Sequence, residues 1–115
     1  MARNDDILGM EETSELASTL SAIDRLVHEP ARLSILAVLN VVDRADFTFL
    51  LRQTGLTRGN LSSHLSKLEE ASYVSIAKEF VEKLPRTLIR LTAHGRRALS
   101  AYRGAMAGVL EELED

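Results

Sequence analysis

The densest run of chemically capable side chains lies between Thr57 and Ala71, where Arg58, Gly59, Asn60, Ser62, Ser63, His64, Ser66 and Lys67 crowd together. Asn60 can pair bidentately with adenine, and Arg58 or Lys67 can reach phosphate or guanine. Hydroxyls beside the bare backbone of Gly59 permit close approach to phosphates and base edges. A second group, Lys83 and Arg86 around Pro85, sets cations on a rigid bend suited to a minor groove or to a phosphate backbone. Charges and proline at a hairpin also prevent strand pairing between molecules, and both roles can hold at once. The patterns that enzymes use are missing: there is no P-loop, no nucleophile motif, no metal-binding pair and no Gly-rich nucleotide loop.

Charge follows the same division. The formal net charge is -3, yet residues 52 to 97 carry nine Lys or Arg against four acids, while the segments on either side are acidic. One region is therefore built to meet an anion. With 115 residues, 45% apolar and 27% charged, the chain fits one domain with little mass for a deep catalytic cleft. The absence of cysteine excludes disulfides, thiolate zinc sites and sulfur redox sensing. No signal peptide pattern and no run of about 18 apolar residues occurs, so no membrane span and a cytoplasmic location are expected.

The elements that must position these groups can be read from caps and periods. Residues 1–13 form an acidic stretch without a sustained period, expected to be a flexible arm, and residues 14–115 form the domain. From Ser14, the positions Leu16, Leu20, Ile23, Leu26 and Val27 predict an amphipathic helix. Pro30 opens a second helix that is apolar around most of its girth, and so central. Asp43 or Asp46 can cap a short third helix that ends before Gly55. Thr57 can cap a fourth, with Leu61, Leu65 and Leu68 on its inward stripe, and the short turn between these two makes a helix-turn-helix. On the fourth helix Gly59, Ser63, Ser66, Lys67 and Glu70 lie opposite the stripe, with Asn60 and Ser62 on the flanks and the acids Glu69 and Glu70 at the far end. His64 lies nearer the stripe and is either a boundary residue packing on the core or a base reader. Alternation at Val74, Ile76 and Phe80, an interruption at residues 82–86 and renewed alternation from Thr87 predict a β-hairpin with a basic tip. Thr92 caps a last helix whose stripe steps through Leu99, Tyr102, Met106, Val109, Leu110 and Leu113. The fold class is mainly α with a small β-hairpin, ordered as in a winged helix-turn-helix.

The segments Thr57–Ala71 (TRGNLSSHLSKLEEA), Phe80–Thr92 (FVEKLPRTLIRLT) and Ala93–Leu99 (AHGRRAL) closely resemble winged helix-turn-helix transcriptional regulators related to the MarR and ArsR groups. The similarity runs from about Ile23 to Leu99. It implies a recognition helix over residues 58–71, a wing over 81–87 and dimerisation through the terminal helices. Such proteins commonly carry Gly where this chain has Ser72, which would strain a left-handed cap there.

The apolar stripes of the two terminal helices exceed what a three-helix core needs. They predict a homodimer through Leu16, Leu20, Ile23, Leu99, Tyr102, Met106, Val109, Leu110 and Leu113, the alternative being packing of the two helices within one chain. His28, His64 and His94 do not share helical ligand spacing, so neither a metal nor a cofactor is expected, and a small-molecule effector is left unspecified. Only 4% of residues are aromatic, and Tyr73, Tyr102 and the three Phe are expected in core or interface, which favours duplex DNA over single strands as partner. The rival reading is a winged-helix protein-interaction module that does not bind DNA, whose surface should be apolar rather than rich in serine and lysine.

Overall fold

The computed structural model describes residues 17, 18 and 20–114. From Pro30 on, four helices and a three-stranded antiparallel sheet follow in the order α1 (Pro30–Val41), β1 (Ala45–Asp46), α2 (Phe47–Thr54), α3 (Arg58–Glu70), β2 (Val74–Val81), β3 (Leu84–Leu91) and α4 (Ala93–Glu112). β3 is the middle strand of the sheet, between β1 and β2.

Each helix begins on a side chain that satisfies an otherwise unpaired amide. Glu29 accepts from the Arg32 amide ahead of Pro30, Asp46 from Phe49, Thr57 from Asn60 and Thr92 from Gly95. Gly55, at φ 71°, closes α2 in the left-handed conformation that a residue without Cβ adopts at no steric cost. α3 closes differently. The Tyr73 amide donates to the Leu68 carbonyl and the Ser72 amide to that of Glu69, both at 2.9 Å, which is the paired Schellman closure. Its left-handed position falls on Ser72, at φ 64°, where glycine would be relaxed.

Val27, Ile35, Leu36, Leu39, Leu50, Leu61, Leu68 and Ile89 are fully buried and form one core. At about 1.5–3 kcal/mol for each buried aliphatic side chain, this cluster is the main force holding α3 and the hairpin to α1. Gly95, in the first turn of α4, allows the closest approach. A Cβ there would lie 2.8 Å from the Tyr73 carbonyl carbon and 2.9 Å from Leu91 Cδ1.

Three sequence expectations change. The N-terminal helix does not run to Val27. Residues 17, 18, 20 and 21 are helical, after which Asp24 Oδ1 accepts from the amides of Leu26 and Val27, and the chain turns instead of continuing. The hairpin interruption shrinks to two residues, Glu82 and Lys83, at φ 52° and 69°, so Leu84, Pro85 and Arg86 belong to β3. Two consecutive left-handed residues are the tight turn that matches strand twist. Phe80, expected in core or interface, is 79% exposed, because β2 continues past the core into the free part of the hairpin.

Candidate nucleic-acid interface

α3 presents two chemically distinct faces. Leu61, Leu65 and Leu68 are buried, while Arg58, Gly59, Asn60, Ser62, Ser63, Ser66 and Lys67 are all exposed. No neighbouring atom lies within 4 Å of the place where a Gly59 Cβ would stand, so the first turn offers open backbone. The Arg58 guanidinium sits 6.0 Å from the centre of the Phe47 ring, a contact that ties α3 to α2 across their short turn.

His64 is turned away from this face. Arg32 Nη1 donates to its Nδ1 at 3.2 Å, and Arg32 Nε donates to the Leu26 carbonyl at 2.6 Å. Guanidinium can only donate, so His64 Nδ1 accepts and the imidazole proton sits on Nε2. The Arg32 amide, donating to Glu29 at 2.8 Å, holds that carboxyl below the usual range, with the charge of Arg32 adding to the effect. The boundary role is the one this geometry supports, with His64 fastening α3 to the start of α1. His28 Nδ1 lies 2.8 Å from the Tyr102 hydroxyl, and the His94 ring meets the Tyr73 ring edge-on at 5.0 Å. The three histidines thus occupy three separate places. Among the described residues no three of His, Cys, Asp or Glu cluster as a metal site would need.

Lys83 and Arg86 are exposed at the distal end of the hairpin, and Lys78 on β2 adds a third exposed cation that no local motif marks. Its signal was the positive charge of the middle segment, to which it belongs. Glu79, opposite Arg86 in the ladder, is bound by Arg90 at 2.6 Å and lies 3.9 Å from Arg44. The Arg90 hydrogen bond holds the Glu79 carboxyl below its ordinary value, so this acid is matched and the wing keeps its cations.

The terminal residues divide four ways. Leu16 lies outside the described residues, as does the arm over residues 1–13. Ile23 and Tyr102 are packed into this chain's own core, each 9% exposed. Leu99, Met106 and Val109 are half-buried, and Leu20, Leu110 and Leu113 are exposed. α1 and α4 enclose a groove of about 810 Å³, whose walls include Leu33, Val41, Leu99, Met106 and Leu110, with Arg96 and Arg103 at its side. No helix among the described residues is long and apolar enough to cross a membrane.

Comparison with known proteins agrees with this architecture. The winged helix DNA-binding domain family matches residues 31–110. An uncharacterized protein of Methanocaldococcus jannaschii is 35% identical over 78 residues, 68% of this chain and 85% of that protein. The solved structure of a transcriptional regulator homologue from Pyrococcus horikoshii is 27% identical, with a TM-score of 0.75 over 91% of this chain and 99% of that one. Two more distant structures share the fold. MarR of Escherichia coli has a TM-score of 0.67 and 17% identity over 97% of this chain and 79% of that one. The transcriptional repressor CouR, bound to a 23-mer DNA duplex, has 0.65 and 20% over 88% and 70%. The chain belongs to the winged helix DNA-binding domain family, and its fold is that of the MarR-like transcriptional regulators.

Proposed function

We propose that this chain is a sequence-specific double-stranded DNA-binding regulator, not an enzyme, that works as a homodimer in the cytoplasm and represses transcription. Residues 58–71 enter the major groove, and the wing over 81–87 lies on the flanking minor groove or backbone. The observation that carries the reading is the exposed face from Asn60 to Lys67, small and polar along its length, beside a hairpin whose acid Glu79 is already paired. Small side chains let a helix sink to the base edges, and cations beside it meet phosphate. CouR, of the same fold, is a repressor seen on duplex DNA, which supports both the ligand and the sense of regulation. The exposed Leu110 on α4, with Val41 of α1 in the same groove, and the exposed Leu113 just past the end of α4 support pairing of two copies.

The test is a fluorescence-anisotropy titration of duplex DNA, including the region upstream of the protein's own gene, across a range of salt. Lys67→Ala and Arg86→Ala each weaken binding and each lower the slope of log affinity against log salt by about 0.9, the value of one phosphate contact. Unchanged affinity in both variants overturns the assignment. No duplex binding even at low salt would favour the protein-interaction reading.

A further inference from the structure

The outer part of the wing has a composition that phosphate contacts alone do not explain. Its last two rungs pair Phe80 with Pro85 and Val81 with Leu84, four apolar residues in succession, ending in the Glu82–Lys83 turn. Phe80 is 79% exposed and Leu84 54%. β1 reaches only Leu88 and Ile89 of β3, so beyond them the hairpin is a two-stranded ribbon. In a two-residue hairpin the rung beside the turn exchanges the ladder hydrogen bonds and the next rung exchanges none. Pro85 therefore gives up no ladder bond, and its ring stands close beside Phe80 on one face of the ribbon. Lys78 lies on that same face, Arg86 on the other and Lys83 at the turn beside Glu82, all exposed, so with Glu79 held by Arg90 three cations stand against the one acid Glu82.

Size and charge select the occupant. A buried aromatic side chain covers about 150–250 Å², and four apolar side chains on a ribbon tip fall short of the roughly 800 Å² per partner that a stable protein interface buries. A minor groove is about 6 Å wide, and apolar side chains enter it as wedges between base steps. Cations around an apolar tip then face phosphates on both strands.

We infer that Phe80, backed by Pro85, is a wedge that enters the minor groove beside the half-site, part-unstacks one base step and bends the duplex. This rests on the DNA-binding reading and adds a source of specificity at positions that no side chain reads by hydrogen bonding. Pyrimidine–purine steps such as TA unstack most cheaply, so the wing selects them.

The probe is a duplex of about 40 base pairs from the upstream region of the protein's own gene, long enough for two half-sites one helical turn apart. It carries donor and acceptor dyes at its ends, and full-length protein is followed by energy transfer and anisotropy together. Wild type raises the transfer efficiency. Phe80→Ala binds roughly tenfold more weakly, the order of one base–aromatic contact, with the transfer change abolished and the preference for a flanking TA over a GC step lost. Phe80→Leu, which keeps an apolar wedge, restores bending. Because Phe80 is exposed, the urea midpoint of Phe80→Ala stays at the wild-type value. Binding by wild type without a transfer change, or equal bending by Phe80→Ala, overturns the wedge and leaves the DNA-binding reading standing. Loss of a dimer on sedimentation of Phe80→Ala places a second copy on the tip and also overturns it. Absence of any duplex binding removes both readings together.

Discussion

Replacing Gly95 by Ala tests whether the end of α3 and the start of α4 are as tightly joined as they look. The new Cβ would stand 2.8 Å from the Tyr73 carbonyl carbon and 2.9 Å from Leu91 Cδ1. Carbon pairs are most favourable at about 3.5–4.0 Å, so both contacts are short by about 0.6 Å or more. Leu91 can turn its side chain, but the Tyr73 backbone cannot move alone. Its carbonyl accepts from the Thr92 amide at 3.0 Å, and the Thr92 hydroxyl donates to the adjoining Ser72 carbonyl at 2.6 Å. Overpacking costs about 1–3 kcal/mol, and weakening one of those hydrogen bonds adds about 0.5–1.5 kcal/mol. The expected loss is thus about 1.5–4.5 kcal/mol, which at a urea slope of roughly 2 kcal/mol per molar lowers the midpoint by about 1–2 M. Gly104 is the control within the same helix. It meets nothing within 4 Å, and Gly104→Ala should stabilise by up to about 1 kcal/mol through helix propensity. A Gly95→Ala midpoint equal to wild type, or a Gly104→Ala midpoint lowered as much as that of Gly95→Ala, refutes the argument.

The left-handed Ser72 gives a prediction of opposite sign: Ser72→Gly raises the urea midpoint, by about 0.5–1 kcal/mol in stability, with duplex affinity unchanged. A midpoint at or below wild type would show that the cap is relaxed as it stands. Burial, with the hydrogen bond to Asp24 and its charge, pushes the Tyr73 phenol up to about 12. A raised folded-state value favours the protonated form, so this contribution is whole below about pH 10 and drains away as the pH climbs through about 12. Tyr73→Phe should therefore lose less stability than wild type between about pH 8 and about pH 11, as read from urea midpoints at the two pH values.

Much of the fold was legible because its helix ends are written in single residues. Asp46, Gly55, Thr57 and Thr92 mark their boundaries by side-chain chemistry that acts locally, and no distant contact overrides them. The exposed face of α3 followed from the inward leucines by helical period alone. The misreadings came where local and nonlocal forces compete. Ile23, Leu26 and Val27 keep helical spacing, but the Asp24 carboxylate captures the amides that a helix would have used. β1 is two residues long and has no period to detect, existing only because Ala45 and Asp46 meet Ile89 and Leu88. The Glu82–Lys83 turn lacks the Gly or Asn that signals its type, and Pro85 looked like a break because the sequence does not show that its rung carries no ladder bond. His64 was placed correctly beside the apolar stripe, but its partner Arg32 lies on another helix, beyond the reach of any local pattern.

Thr92 has a mechanical consequence. Its hydroxyl accepts from Gly95 at 2.9 Å and donates to the Ser72 carbonyl at 2.6 Å, so one side chain rivets the tail of α3 to the head of α4. With its 20 residues α4 is a lever about 30 Å long, and a swing of about 5° at the rivet displaces its far end by nearly 3 Å. Thr92 is thus the joint at which a displacement of α4 meets the end of α3.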